Sequence, residues 1–209
     1  MKARFPDFEF VYGDAEFTPD NHMPSGLVSL ALHSRRGSIY MVNAEADREG
    51  FCSSEFRRDH IWSKLPLLAD GSLDLDDKNV VPYAVIKQAV NGYFRDVTGS
   101  RHYRSTIGFV ADHGTRDMGS IHTLFRDDWN PDVMPEWIPK RPFADLATLE
   151  DLAGVEDDHL PNGLRLPWSD PEKAHHALYD AKWDREVHEF LLEHSRAVRV
   201  ASGVECLES

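Results

Sequence analysis

FEFVYGDAEF (residues 8–17), GLVSLALH (residues 26–33) and SIYMVN (residues 38–43) are three apolar runs crowded near the start of the chain. The first is rich in aromatic residues and ends in acids. Pro19, Asp20, Asn21, Pro24 and Gly26 mark a loop after it. Ser34-Arg35-Arg36-Gly37 makes a turn between the second and third runs, so these two read as a hairpin. The three together predict an antiparallel meander. Beyond it, residues 57–64 suggest a short helix. Residues 80–94 place Val81, Ala84, Val85, Ala89, Val90 and Phe94 at helical spacing. STIGFVA (residues 105–111) reads as a buried strand, residues 116–125 as a helix and residues 127–142, rich in proline, as a loop carrying Trp129 and Trp137. Residues 143–152 suggest another helix. Asp170 as N-cap and Pro171 at the first helical position open a last helix predicted over residues 171–194. This order predicts an α/β fold with one mixed sheet flanked by helices, in which the meander is continued by parallel strands through a crossover helix. One domain is expected over residues 1–209, with its core at about 8–195 and a loose tail over 196–209.

The composition narrows the function classes. The 209 residues hold 23 Lys and Arg against 36 Asp and Glu, a net charge of −13. Such a surface repels nucleic acid in bulk and offers no polybasic membrane signal. No apolar run is long enough for a membrane span, and the first residues lack the apolar centre of a signal peptide, so a cytoplasmic location and no membrane partner are expected. Cys52 and Cys206, far apart, make neither a disulfide framework nor a zinc cluster. The acids carry another option: carboxylates that hold a hard cation reverse the local field, and an acidic protein can then handle a phosphodiester at one place.

Three groups of acids invite that reading. In Gly13-Asp14-Ala15-Glu16-Phe17, strand alternation points Asp14 and Glu16 to the same side, where two carboxylates repel unless a cation such as Mg²⁺ or Mn²⁺ joins them. In His175-His176-Ala177-Leu178-Tyr179-Asp180-Ala181, an acid sits among apolar helix neighbours, where an unpaired charge is costly. On a straight helix His175 and Asp180 stand about 140° apart. That spacing favours His175 as an acid/base beside a metal held by Asp180 over a tight pair on one ion. The turn after STIGFVA holds Asp112, His113, Arg116 and Asp117, at the carboxyl end of a strand, where ligand sites of α/β sheets gather.

Taken together, D-x-E, a distant D and H-x-x-x-x-D resemble the DEDDh family of 3′–5′ exonucleases, read here as Asp14-Ala15-Glu16, Asp117, and His175 through Asp180. The closer likeness is to the small exoribonucleases of the mycobacterial type. It rests on Asp14-Ala15-Glu16-Phe17, Leu27-Val28-Ser29-Leu30, the segment YMVNAEAD (residues 40–47), Trp62-Ser63-Lys64-Leu65-Pro66 and the HHALYDA motif (residues 175–181). The earlier Asp7-Phe8-Glu9 competes with Asp14 and Glu16 for the first motif, and Asp112 competes with Asp117 for the middle one.

The resemblance implies an RNase H-like fold and two divalent cations, Mg²⁺ or Mn²⁺, held by Asp14, Glu16, Asp117 and Asp180. It implies that neutral His175 takes the proton of the attacking water and that nucleoside 5′-monophosphates leave from a nucleic acid 3′ end, RNA favoured over DNA. It further implies that Phe17 packs against the terminal base and that the chain forms a homodimer. Arg101, His102 and Arg104 are candidates for phosphate contacts, and Trp129 and Trp137 for base stacking. The rival readings are a catalytically inactive nucleic-acid- or protein-binding module of the same fold, and a metal-dependent phosphoesterase acting on small nucleotides.

Overall fold

The computed structural model describes residues 9–18, 26–98, 107–125, 143–202 and 204. β1 (Glu9–Phe17), β2 (Leu27–Ser34) and β3 (Gly37–Asn43) form the antiparallel meander expected from the three opening runs. Two short helices follow, α1 (Arg48–Phe51) and α2 (Glu55–His60), and then a single 3₁₀ turn at Trp62–Lys64. β4 (Val80–Val81) leads into α3 (Tyr83–Thr98), β5 (Ile107–Ala111), α4 (Thr115–Thr123), β6 (Phe143–Asp145) and α5 (Leu146–Ala153). The chain closes with α6 (Ala177–His194) and α7 (Arg196–Ala201). The strand order is β4-β3-β2-β1-β5-β6. β5 runs parallel to β1, β6 parallel to β5 and β4 parallel to β3, so the sheet is mixed and flanked by helices.

Alternation along β1 decides what each face does. Val11 and Ala15 belong to a core built with Leu30, Leu32 and Phe109 from the sheet and Ile86, Val90, Phe94 and Val97 from α3, and Phe17 packs at its edge. The opposite set, Tyr12, Asp14 and Glu16, faces α6. Gly13 is required by close packing: a Cβ there would lie 2.5 Å from the Phe109 ring. α6 approaches through small residues, Ala177 and Ala181 against Ala31 of β2. Behind them the buried Tyr12 hydroxyl bonds His188 Nδ1 at 3.0 Å, and His188 Nε2 meets Ser202 Oγ at 3.2 Å.

Several boundaries differ from the sequence expectation. The last helix starts at Ala177, because residues 171–175 form turns and His175 adopts a left-handed φ of 64°. Asp170 does cap a turn, accepting from the Glu172 amide at 3.1 Å, but not this helix. The helix expected over residues 80–94 begins at Tyr83, after the short β4. Its buried stripe runs through Ile86 rather than Val85, which is exposed. The helix expected from residue 143 begins with β6. The expectation of a loose tail over 196–209 is corrected for its first part: residues 196–201 are α7, capped by Ser195. Its Val198 is fully buried among Leu146, Leu149, Val187 and Leu191. No helix among the described residues is long and apolar enough to cross a membrane.

Candidate active site

The carboxylates gather on the α6 side of the sheet, at the carboxyl end of β1. In the β1–β2 register Asp14 stands opposite Ala31 and Glu16 opposite Ser29, and the register shifts between Glu16 and Phe17. Because Ala31 is small, α6 lies close, and Asp180 in its first turn faces both acids. α4 delivers Asp117 from beyond β5. Its Oδ1 accepts a hydrogen bond from the Ala15 amide at 2.8 Å, and the residue is 7% exposed. Asp112, by contrast, is exposed at the start of the same turn. That turn is held from β6, where Asp145 Oδ2 accepts from the Gly114 amide at 3.0 Å. Glu9 lies at the other end of β1, about 23 Å away by strand rise, and Asp7 lies outside the described residues.

Electrostatics shows how tightly this set is drawn together. Burial raises the Asp14 carboxyl well above its ordinary range, and repulsion from Asp117, Glu16, Asp180 and Asp184 adds to it. Burial, with Asp180 and Asp117, pushes Glu16 up to about 8. Asp117 rises to about 7 through burial, opposed by its bond to the Ala15 amide. Asp180 rises to about 6 through burial, opposed by backbone hydrogen bonds at His175 and His176 and by Lys64. Asp14 Oδ2 is buried with no hydrogen-bond partner among the described residues. Clustered carboxylates with an orphaned oxygen are hard donors in search of a cation, and they fit Mg²⁺ or Mn²⁺.

His175 joins them in a way a straight helix would not allow. The left-handed turn takes it off the helix, so that ligand atoms of Glu16, His175 and Asp180 lie within 4.8 Å of one another. The edge of the ring meets Phe56 of α2, with centroids 5.0 Å apart. Burial first, then Lys64 and His60, lowers the His175 pKa and favours the neutral imidazole. Lys64 is fixed by donating from Nζ to the Ala174 carbonyl oxygen. Phe17 is half-buried at the core edge, and the Arg116 guanidinium lies 6.0 Å from its ring centre. Arg101, His102, Arg104, Trp129 and Trp137 lie outside the described residues.

Two groups here escape a reading of the sequence. Asp184, 2% exposed, sits one turn beyond Asp180 on the buried face of α6, and its Oδ2 accepts from the Asp112 amide at 3.2 Å. Its signal was the i,i+4 spacing from Asp180. Phe56 carried no signal, because nothing local ties α2 to residue 175.

No protein-family model and no curated protein matches the sequence. Solved structures do match. One is Exonuclease I of E. coli in complex with a dA16 oligonucleotide, at TM-score 0.59 and 11% identity, covering 95% of this chain and 43% of that one. Another is the zinc ion bound form of the E. coli ExoI–ssDNA complex, at TM-score 0.60 and 10% identity, covering 95% and 43%. A third is a moderately thermophilic Exonuclease I from Methylocaldum szegediense, at TM-score 0.53 and 11% identity, covering 94% and 43%. The chain thus spans less than half the length of these structures. At such identities the likeness is one of fold, and the mixed sheet has the RNase H-like architecture expected above.

Proposed function

We propose that this chain is a metal-dependent 3′–5′ exonuclease of the DEDDh type that releases nucleoside 5′-monophosphates. The observation that carries the reading is the gathering of Asp14, Glu16, Asp117, Asp180 and His175 from three separate stretches of sequence around one buried oxygen that has no hydrogen-bond partner among the described residues. The fold likeness to Exonuclease I supports it.

Asp14, Glu16, Asp117 and Asp180 would hold two divalent cations, Mg²⁺ or Mn²⁺. Bound there, such ions supply Lewis acidity for an attacking water and for the charge on the leaving 3′ oxygen. The chain's own residues do the rest. The Ala15–Asp117 hydrogen bond fixes the acid from α4 against the backbone between the two acids of β1. The neutral His175 ring offers a nitrogen lone pair to the water proton, and Phe56 packs against that ring roughly at right angles. Phe17, at the end of β1, offers an aromatic face to the terminal base.

RNA is the favoured strand, on the motif likeness to the mycobacterial-type exoribonucleases, and the same likeness favours a homodimer. Matched 5′-labelled RNA and DNA oligonucleotides, with Mg²⁺ or Mn²⁺ and with EDTA, test the reading. Stepwise shortening from the 3′ end that EDTA stops, faster on RNA, is the expected outcome. Intact labels under all conditions would remove the activity, and faster loss of DNA would reverse the strand preference.

A further inference from the structure

We propose that the cavity beside His175, on the outer side of the α6 N-terminus, binds the nucleotide unit lying 5′ to the scissile bond of a single strand, its phosphate held by Lys173 and Lys182. The inference rests on the exonuclease reading and names a second contact region for the same substrate. The cavity has a volume of about 340 Å³. That is the lower end of the ~300–1,000 Å³ range of ligand pockets, room for one nucleotide and far too little for a duplex. Lys64, Lys173 and Lys182 line it with Glu172, and Asp170 pairs with Lys173, so three lysines face two acids here in a chain of net charge −13.

The remaining walls suit a base and sugar. Leu178 and Tyr179 supply apolar surface, and His176, stacked on Tyr40 with centroids 4.6 Å apart, closes one side. The Tyr179 ring is held in place, because its hydroxyl accepts from the Asp170 amide at 2.6 Å. Lys173 Nζ sits 5.8 Å from the centre of that ring and 3.1 Å from Asp170, with most of its side chain exposed. An aromatic face next to lysines is the pairing that single-strand sites use for a base and its phosphate.

The cavity and the carboxylates are neighbours: His176 lines the cavity, and the adjacent His175 lies with Glu16 and Asp180. Residues 174–176 stand between them, and Lys64 reaches both sides: it lines the cavity, and its Nζ donates to the Ala174 carbonyl oxygen one residue before His175. A strand whose 3′-terminal phosphodiester lies at the acids therefore reaches the cavity with its next nucleotide.

The test uses the full chain carrying Lys173→Ala and Lys182→Ala together. Both side chains are exposed, so the fold does not depend on them, and a melting curve verifies this. Binding of a 5′-fluorescein single-stranded oligonucleotide is followed by anisotropy in EDTA over a salt series, and hydrolysis in Mn²⁺ gives KM and kcat. We expect affinity to fall about tenfold and the slope of log K against log salt to become shallower by about 0.7, the loss of one neutralised single-strand phosphate. The kinetic loss appears in KM rather than in kcat. The paired Lys→Arg variant restores the slope. Unchanged affinity and slope in the alanine variant overturn the proposal even where the wild type shortens RNA. A variant that loses only competition by nucleoside 5′-monophosphate, while keeping its affinity for the strand, assigns the cavity to the released product and also overturns it. Failure of the exonuclease reading shows separately, as a wild type that shortens no strand.

Discussion

The Ala15 amide donates to Asp117 Oδ1 at 2.8 Å, joining positions 102 residues apart. The amide lies between Asp14 and Glu16, so one bond seats the first turn of α4 on the strand that carries the other two acids. Asn at 117 keeps an oxygen for this bond and removes the charge. Asp117→Asn should therefore fold normally and bind Mn²⁺ about 10–100-fold more weakly, the usual cost of disturbing a metal site's support. Asp117→Leu strands the buried amide as well and should lose about 1–3 kcal/mol of stability. Manganese titration and chemical denaturation of the two variants read these effects apart. Equal metal affinity in the wild type and Asp117→Asn would place the middle acid elsewhere, with Asp112 the next choice.

Asp180 faces the strand acids from the first turn of α6, where backbone hydrogen bonds at His175 and His176 hold its carboxylate. Asp180→Ala should lower 3′-end hydrolysis by about two to three orders of magnitude, the scale on which one preorganised charged group acts. Its circular dichroism should match the wild type. Undiminished activity would remove Asp180 from the metal set.

His175 lies close enough to Glu16 and Asp180 to share an ion with them, yet its ring is also biased to the neutral form. As a base, His175→Ala should lower kcat by about 10²–10⁴-fold and leave manganese affinity unchanged. Loss of manganese binding in this variant would make His175 a ligand.

The metal-free protein should be less stable in alkali. Folding raises Glu16 to about 8 and Asp117 to about 7, in both cases mainly by burial. Unfolded acids titrate near ~4, so between ~4 and ~8 the folded state binds more protons, and stability falls as pH rises through that window. The buried His188, pushed down to about 4, works in the opposite direction below its ordinary 6.5. The comparison therefore belongs between pH about 7.5 and about 8.5, above the titration range of ordinary imidazoles, where the buried acids still titrate. Scanning calorimetry in EDTA should give a lower Tm at the higher pH. Mn²⁺ should recover it, more strongly at the higher pH, because the ligands must be deprotonated to bind. A Tm in EDTA that holds or rises across this interval would mean that the acids are not buried together.

Much of this was legible in the residues. The meander follows from three apolar runs and their turns, and the D-x-E pair from strand alternation, which sets Asp14 and Glu16 opposite the core residues Val11 and Ala15. The spacing of His175 and Asp180 was legible, but its geometry was not. A helix drawn from Pro171 separates them, whereas the left-handed backbone at His175 folds the ring back toward the acid. Asp184 and His188 sit on a stripe of α6 that a hydrophobic pattern expects to be apolar. Their partners, the Asp112 amide and Tyr12, come from the turn after β5 and from β1. Phe56 and Lys64 reach the site from a segment whose mixed composition says nothing of its neighbours. Periodicity reports which face an element buries. It does not report what other elements bring to that face.

The most direct measurement is calorimetric titration of Mn²⁺ into the EDTA-stripped, dialysed full chain, with Asp14→Asn in parallel. The account predicts saturation at two ions per wild-type chain and at least one site lost or severely weakened in the variant, whose unpartnered buried oxygen is the feature that calls for a cation. A wild-type chain that takes up no manganese, or binds it identically with and without the Asp14 carboxylate, contradicts it.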